Sequence, residues 1–164
     1  AREYNVPYFG ICLGMQIATI EFARDVAGIS DAHSSEFDEQ CKHKVIDFMP
    51  GQSDDIDKGG TLRLGAYPCR IAEGTKMAAC YGKAEITERH RHRYEFNNDY
   101  RQLLADAGLV ISGTSPDGSI VETVEVPGND FFVGVQFHPE FKSRPNKPHP
   151  LFLGLIESTL KGKI

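Results

Sequence analysis

The chain has 164 residues, 40% of them apolar and 25% charged, and a formal net charge of −5 at neutral pH. A chain of that length buries one core of ordinary size, so a single domain, or part of one, is expected. Its mild acidity, without a long run of one sign, argues against a general nucleic-acid or membrane-surface binder and for small-molecule or protein partners.

Residues 1–5 contain no initiator Met and read as the tail of a helix, so upstream chain is expected. Residues 6–11 are short and apolar, which suits a strand buried on both faces. From Met15 to Ala27 apolar residues recur at largely helical spacing until Gly28 stops them. Residues 29–43 read as irregular, 45–49 as a strand, and 50–60 ("PGQSDDIDKGG") as an acidic, glycine-rich surface loop. Segments 61–72 and 86–96 look extended, and 98–107 has helical periodicity closed by Gly108. Segments 109–112 and 119–126 flank a hairpin turn at Pro116-Asp117-Gly118, and 131–137 is a further apolar strand. After the proline-rich "SRPNKPHP", residues 151–160 close the chain as an amphipathic helix. Strands and helices thus mix, with no repeat and no low-complexity tract. No apolar stretch approaches the roughly 20 residues that span a bilayer, and no signal-peptide layout opens the chain, so a cytoplasmic protein is expected.

Four cysteines, Cys12, Cys41, Cys69 and Cys80, form no C-x-x-C pair, which fits reduced thiols. Cys12 stands apart because Gly10 and Gly14 flank it in "GICLG", between the first strand and the first helix. A residue displayed on a sharp strand-to-helix turn is forced toward a strained backbone, and glycines on either side remove crowding. The helix N-terminus is expected to lower the thiol pKa, and amides after the turn can hold an oxyanion. Taken alone, the pattern equally fits a small buried cysteine where strand and helix pack closely.

A base decides between these readings, and "GVQFHPEF" supplies one. Residues two apart on extended chain point the same way, and Pro139 biases His138 toward extended geometry, so Glu140 can orient the His138 imidazole. Cys12 and His138 are 126 residues apart, a separation expected of a triad assembled by folding. His90, His92, His138 and Glu140 follow no metal-ligand spacing, so no metal is expected.

These segments resemble the class I, triad-type glutamine amidotransferases, the elbow in "GICLGMQ" and the base in "QFHPEF". Within that class "GGTLRLG" at 59–65, "ERHRHRYEFN" at 88–97 and "SSEF" at 34–37 resemble the glutaminase domain of the CTP synthases, over nearly the whole chain. The resemblance implies a doubly wound, flavodoxin-like α/β fold and an enzyme that hydrolyses L-glutamine to ammonia. A synthetase domain of the same polypeptide would add that ammonia to phosphorylated UTP, consuming ATP, to make CTP. Cys12 would form a glutamyl thioester, with His138 as acid and base and Glu140 holding its tautomer. Leu13, Gly14, Met15, Gln16, Glu36 and Arg93 would bind the substrate, Leu13 through its N–H. Glu36 and Arg93 supply the anion and cation that glutamine's α-ammonium and α-carboxylate require.

The family's opening strands and helices, with the glycine-rich loop that completes its oxyanion hole, precede the elbow and are not in this sequence. The chain, residues 1–164, is therefore expected to be a partial glutaminase domain that exposes sheet edge and apolar surface and turns glutamine over poorly alone. No cofactor is expected in this chain, while Mg and ATP are implied for the synthetase domain, GTP as activator and a homotetramer for the whole enzyme. Two alternatives stay open: a class I amidotransferase feeding another acceptor, and a catalytically silent regulatory or assembly module.

Overall fold

The computed structural model describes residues 1–48 and 63–161. Its first strand, β1 (Tyr8–Ile11), runs straight through Cys12 into helix α1 (Leu13–Asp25). Then follow β2 (Ala32–Ser34), β3 (His43–Phe48), β4 (Arg63–Ile71), α2 (Lys76–Tyr81), β5 (Glu85–His92) and β6 (Tyr94–Phe96). A short 3-10 turn (Asn98–Tyr100) leads to α3 (Arg101–Asp106), and β7 (Val110–Thr114), β8 (Val121–Glu125), β9 (Phe132–Val135), a second 3-10 turn (Pro139–Lys142) where extended chain was expected, and α4 (Pro150–Lys161) complete the described order.

The main sheet has the order β1-β9-β8-β7-β4-β5, and β2-β3-β6 form a second, smaller sheet. β1 and β9 are parallel, with Ile11 opposite Val135, while the other pairs of the main sheet are antiparallel. The parallel pair sets the site: the chain leaves both strands at the same end, so Cys12 and the 136–140 segment start side by side. The Cys12 N–H donates to the Val135 carbonyl at 2.7 Å and closes the pairing.

Helices cover both faces of the sheet. Met15, Ile20, Phe22 and Ala23 of α1 pack with Val45, Ile46, Phe96, Leu104, Val121 and Val124 in one core. Val133, Val135 and Phe137 pack with Cys69, Ile71, Met77 and Leu151 in the other. With odd positions of β9 committed to that second core, Gly134 and Gln136 face α1 by the strand alternation. An ideal Cβ at Gly134 would lie 3.1 Å from Met15, so a glycine there lets α1 settle on β9. The α/β class is as expected, in a mixed sheet with one parallel pair.

β5 reads Glu-Ile-Thr-Glu-Arg-His-Arg-His, with Glu88, His90 and His92 buried and Arg89 and Arg91 exposed. The basic run of the sequence is therefore one solvated face of a strand whose other face is sunk in the protein. There Arg63 bonds Glu122 at 2.5 Å and lies 4.0 Å from Glu95. His90 and His92 join each other at 2.9 Å. Burial drives these two imidazoles down, to about 2 and about 3, and Arg63 adds to both shifts. It drives Glu95 up to about 7 against the pull of Arg63.

The hairpin turn forms at 116–118, with the Gly118 N–H donating to the Ser115 carbonyl at 2.8 Å. Strand β2 and helix α2 lie in stretches that the sequence pattern left irregular or unassigned. The expected loop at 50–60, the end of the strand at 49 and the start of the next at 61–62 fall outside the described residues. β1 is hydrogen-bonded on one side only among the described residues, and Tyr4, Val6, Leu13 and Ile17 near it are exposed. Among the described residues no helix is long and apolar enough to cross a membrane.

Candidate active site

Cys12 has φ 51° and ψ −103°, a left-handed backbone for a residue with a side chain. The sharp turn predicted from "GICLG" is thus present, but its two glycines serve it unequally. A Cβ at Gly10 would lie 2.6 Å from the Gly14 carbonyl carbon and 2.8 Å from the Tyr8 ring, closer than atoms can approach. At Gly14 it would meet only the Tyr8 hydroxyl, at 3.5 Å, an ordinary contact. Tyr8 Oη donates to the Gly14 carbonyl at 2.7 Å and ties the first turn of α1 back to β1.

The expected lowering of the Cys12 pKa does not occur. Burial pushes the thiol up; the Leu13 N–H and the Gln136 amide pull against it, while the charges of Glu36 and Glu140 add to the rise. A half-sunk sulfur loses more hydration than two donors return, so the resting group is a thiol and activation needs a base.

His138 follows β9 and is held by its own N–H, which donates to the Arg89 carbonyl at 2.8 Å. Its Nδ1 lies 2.6 Å from Glu140 Oε1, a contact that seats the ring proton on Nδ1 toward the carboxylate. Nε2 is buried and has no hydrogen-bond partner among the described residues. No hydrogen bond joins it to Sγ among those residues; the sulfur instead accepts from Gln136 Nε2 at 3.6 Å. A neutral imidazole with its carboxylate-side proton fixed and the other nitrogen open is the form a general base requires.

Beside the thiol lies a cleft of about 340 Å³ lined by Cys12, Leu13, Gln16, Glu36, Arg93 and neighbouring residues of β5 and β6. Five of the predicted site residues thus share one cavity. Glu36 stands on the turn after β2, where its N–H donates to Ser34 Oγ at 3.2 Å and Ser35 Oγ donates to Asp47 at 2.6 Å. Arg93 stands on the link between β5 and β6. The cleft therefore carries an anion and a cation from different elements, a combination suited to a zwitterion.

The other four predicted residues do not line the cleft: His138 and Glu140 pair with each other outside its wall, Met15 buries its side chain in the core, and Gly14 has its carbonyl engaged by Tyr8. Gln16 lines the cleft, yet both hydrogens of its amide are spent inside the protein, on the Tyr94 carbonyl at 2.9 Å and Gln136 Oε1 at 3.2 Å. Sequence reasoning missed Gln136, although strand alternation expected through 131–137 sets it on the opposite face from Val135 and Phe137, toward α1. Among the described residues there is no group of three side chains that could hold a metal ion.

The profile of the family described as Glutamine amidotransferase class-I matches residues 1–158. The chain belongs to that family. It is similar to the CTP synthase of Staphylococcus aureus, 65% identical over 161 residues that make up 98% of this chain and 30% of the relative. The chain thus spans under a third of the length of the curated relatives it matches. Its structure is similar to the glutaminase domain of Trypanosoma brucei CTPS with acivicin bound, at a TM-score of 0.91 and 44% identity, covering 98% of this chain and 62% of that one. The amidotransferase fold and the class I family expected from the elbow and H-P-E segments are therefore both established.

Proposed function

We propose that this chain is the glutaminase part of a CTP synthase and releases ammonia from L-glutamine through a Cys12–His138–Glu140 triad. The observation that carries the proposal is the pairing of a strained, cleft-lining Cys12 with an imidazole whose Nδ1 is tied to Glu140 while Nε2 stays open. The likeness to CTP synthases names the acceptor.

Glutamine enters the cleft with its α-ammonium at Glu36 and its α-carboxylate at Arg93, which aims the side-chain amide at Sγ. Seating the ammonium on Glu36 also offsets one of the charges that keep the thiol protonated. His138 Nε2 takes the thiol proton, Sγ attacks the amide carbon, and the Leu13 N–H donates to the oxyanion. The protonated imidazole, steadied by Glu140, hands its proton to the departing nitrogen, leaving ammonia and a glutamyl thioester. The same Nε2 then draws a proton from water, which attacks the thioester and releases glutamate.

Ammonia would pass to the synthetase domain of the same polypeptide, where UTP, ATP and Mg would be bound, with GTP as activator and a homotetramer as the whole assembly. Cys12→Ala in the full-length protein is expected to abolish glutamine-dependent CTP formation and to spare formation from added ammonium. Loss of both, or of neither, would overturn the assignment.

A further inference from the structure

Among the wholly buried polar side chains that the mechanism above leaves unused, one touches the sulfur. Gln136 is 0% exposed and directs its amide at Cys12 Sγ, 3.6 Å away. Which end of the amide faces sulfur is fixed by a carbonyl at the far end of a short relay. The Tyr94 carbonyl can only accept, so the Gln16 group 2.9 Å from it is the NH₂. That same nitrogen sits 3.2 Å from the Gln136 amide, so the atom it meets there is the Gln136 oxygen, and the Gln136 nitrogen faces Sγ. The backbone is pinned as well, because the Gln136 N–H donates to the Glu122 carbonyl at 2.8 Å.

We propose that Gln136 is a positioning residue for the nucleophile: its Nε2–H holds Sγ toward the cleft and stabilises the thiolate once His138 has taken the proton. The proposal rests on the reading of Cys12 as nucleophile. A neutral amide suits the task, since it adds no charge to a cleft that must accept a zwitterion and has a second end with which to be anchored. Gln16 is that anchor, so its part in the site runs through Gln136 as well as along the cleft wall. The donor is one of two that favour the thiolate against the cost of burial, the other being the Leu13 N–H. In the attack the S–H bond breaks toward His138 Nε2 and the sulfur pair forms the bond to carbon. Gln136 exchanges no proton and serves the anion that exists between those events.

The test uses the full-length protein with Gln136→Met, of similar length and without a donor, and Gln136→Glu, of the same shape with an acceptor facing the sulfur. Iodoacetamide alkylation of Cys12, followed across pH by peptide mass, reads the thiolate fraction without glutamine. Gln136→Met should move the midpoint of that profile up by about one pH unit, an approximately tenfold slower alkylation below it. Gln136→Glu should move it further. Glutamine-dependent kcat should fall with KM little changed, because the contact is made to the nucleophile and not to substrate. A midpoint unchanged in both variants, or a loss confined to KM, overturns the proposal; if Gln136→Met does not fold, Gln136→Glu decides alone. Should Cys12→Ala retain glutaminase activity, the functional reading fails, while the alkylation profile still reports whether Gln136 governs the sulfur.

Discussion

Alanine at position 10 should damage the elbow, while alanine at position 14, its mirror in the sequence, should not. A Cβ on residue 10 lies 2.6 and 2.7 Å from the Gly14 carbonyl carbon and oxygen, and 2.8 Å from a Tyr8 ring carbon. Two of these atoms are backbone in the first turn of α1, and that carbonyl is already engaged by the Tyr8 hydroxyl at 2.7 Å. Relief requires moving the start of α1 off β1 by nearly an ångström, against a helix whose other side is in the core. Overpacking of this kind costs about 1–3 kcal/mol, and an obstructing wall of backbone places Gly10→Ala near the upper end. For a domain of this size the penalty lowers the unfolding temperature by about 6–12 °C. Cys12 lies between the displaced segments, so glutamine hydrolysis should fall with stability. Gly14→Ala meets only an ordinary contact in a helical turn, and alanine's helix preference makes it neutral or stabilising by up to about 1 kcal/mol. Thermal unfolding followed by circular dichroism compares the two. Equal losses, or a Gly10→Ala protein as stable as the parent, would refute this account of the elbow.

Glu140→Gln keeps the shape of the His138 partner and removes its charge. The loss of one charge-assisted hydrogen bond, about 1.5–3 kcal/mol, should slow glutamine-dependent turnover about 10- to 150-fold and leave ammonium-dependent turnover alone. Steady-state assays with the two nitrogen donors check this. The buried imidazole of His92 predicts a pH dependence of stability. Its folded-state pKa is depressed to about 3, so its contribution is complete above the ordinary histidine value near 6.5 and is lost as pH falls toward 3. Relative to His92→Asn, the parent should therefore lose about 1.4 kcal/mol per pH unit on acidification below 6.5. Urea titrations of both proteins between pH 7 and 4 measure the difference, and parallel stability curves would contradict it.

The strained turn at Cys12 and the pairing of His138 with Glu140 were legible because each rests on residues close in sequence. Glycine-flanked "GICLG" demands a turn, and Pro139 keeps His138 short of the helical region, but Glu140 reaches the imidazole from a 3-10 turn (Pro139–Lys142) and not from the extended chain that the sequence pattern implies. Strand alternation likewise made 86–96 readable as extended. Two further short elements were not legible besides the Pro139–Lys142 turn. Helix α2 is only six residues, too short for a periodic signal, and is marked by its ends: Thr75 Oγ1 accepts from the Ala78 N–H at 3.1 Å, and Gly82 takes φ 62°. Strand β2 is three residues long and exists through its pairing with β3, a contact that no local pattern encodes.

The Cys12 pKa was misjudged because the helix N-terminus is visible in sequence while burial of the sulfur is not. The sulfur's contact with Gln136 and the latter's link to Gln16 join residues 120 or more positions apart, which only the β1–β9 pairing brings together. Arg89 and Arg91 lie on the exposed face of β5, and the charged residues with structural consequence, Arg63, Glu95 and Glu122, are buried behind them.

The covalent step is the centre of the account, and trapping it is the most direct test. Full-length protein turning over labelled glutamine is quenched in acid within the first turnovers and its peptides are mapped. A glutamyl label, labile to hydroxylamine, is predicted on the peptide carrying Cys12. Active protein with no label there, or with label on any other residue, would contradict the triad and the thioester together.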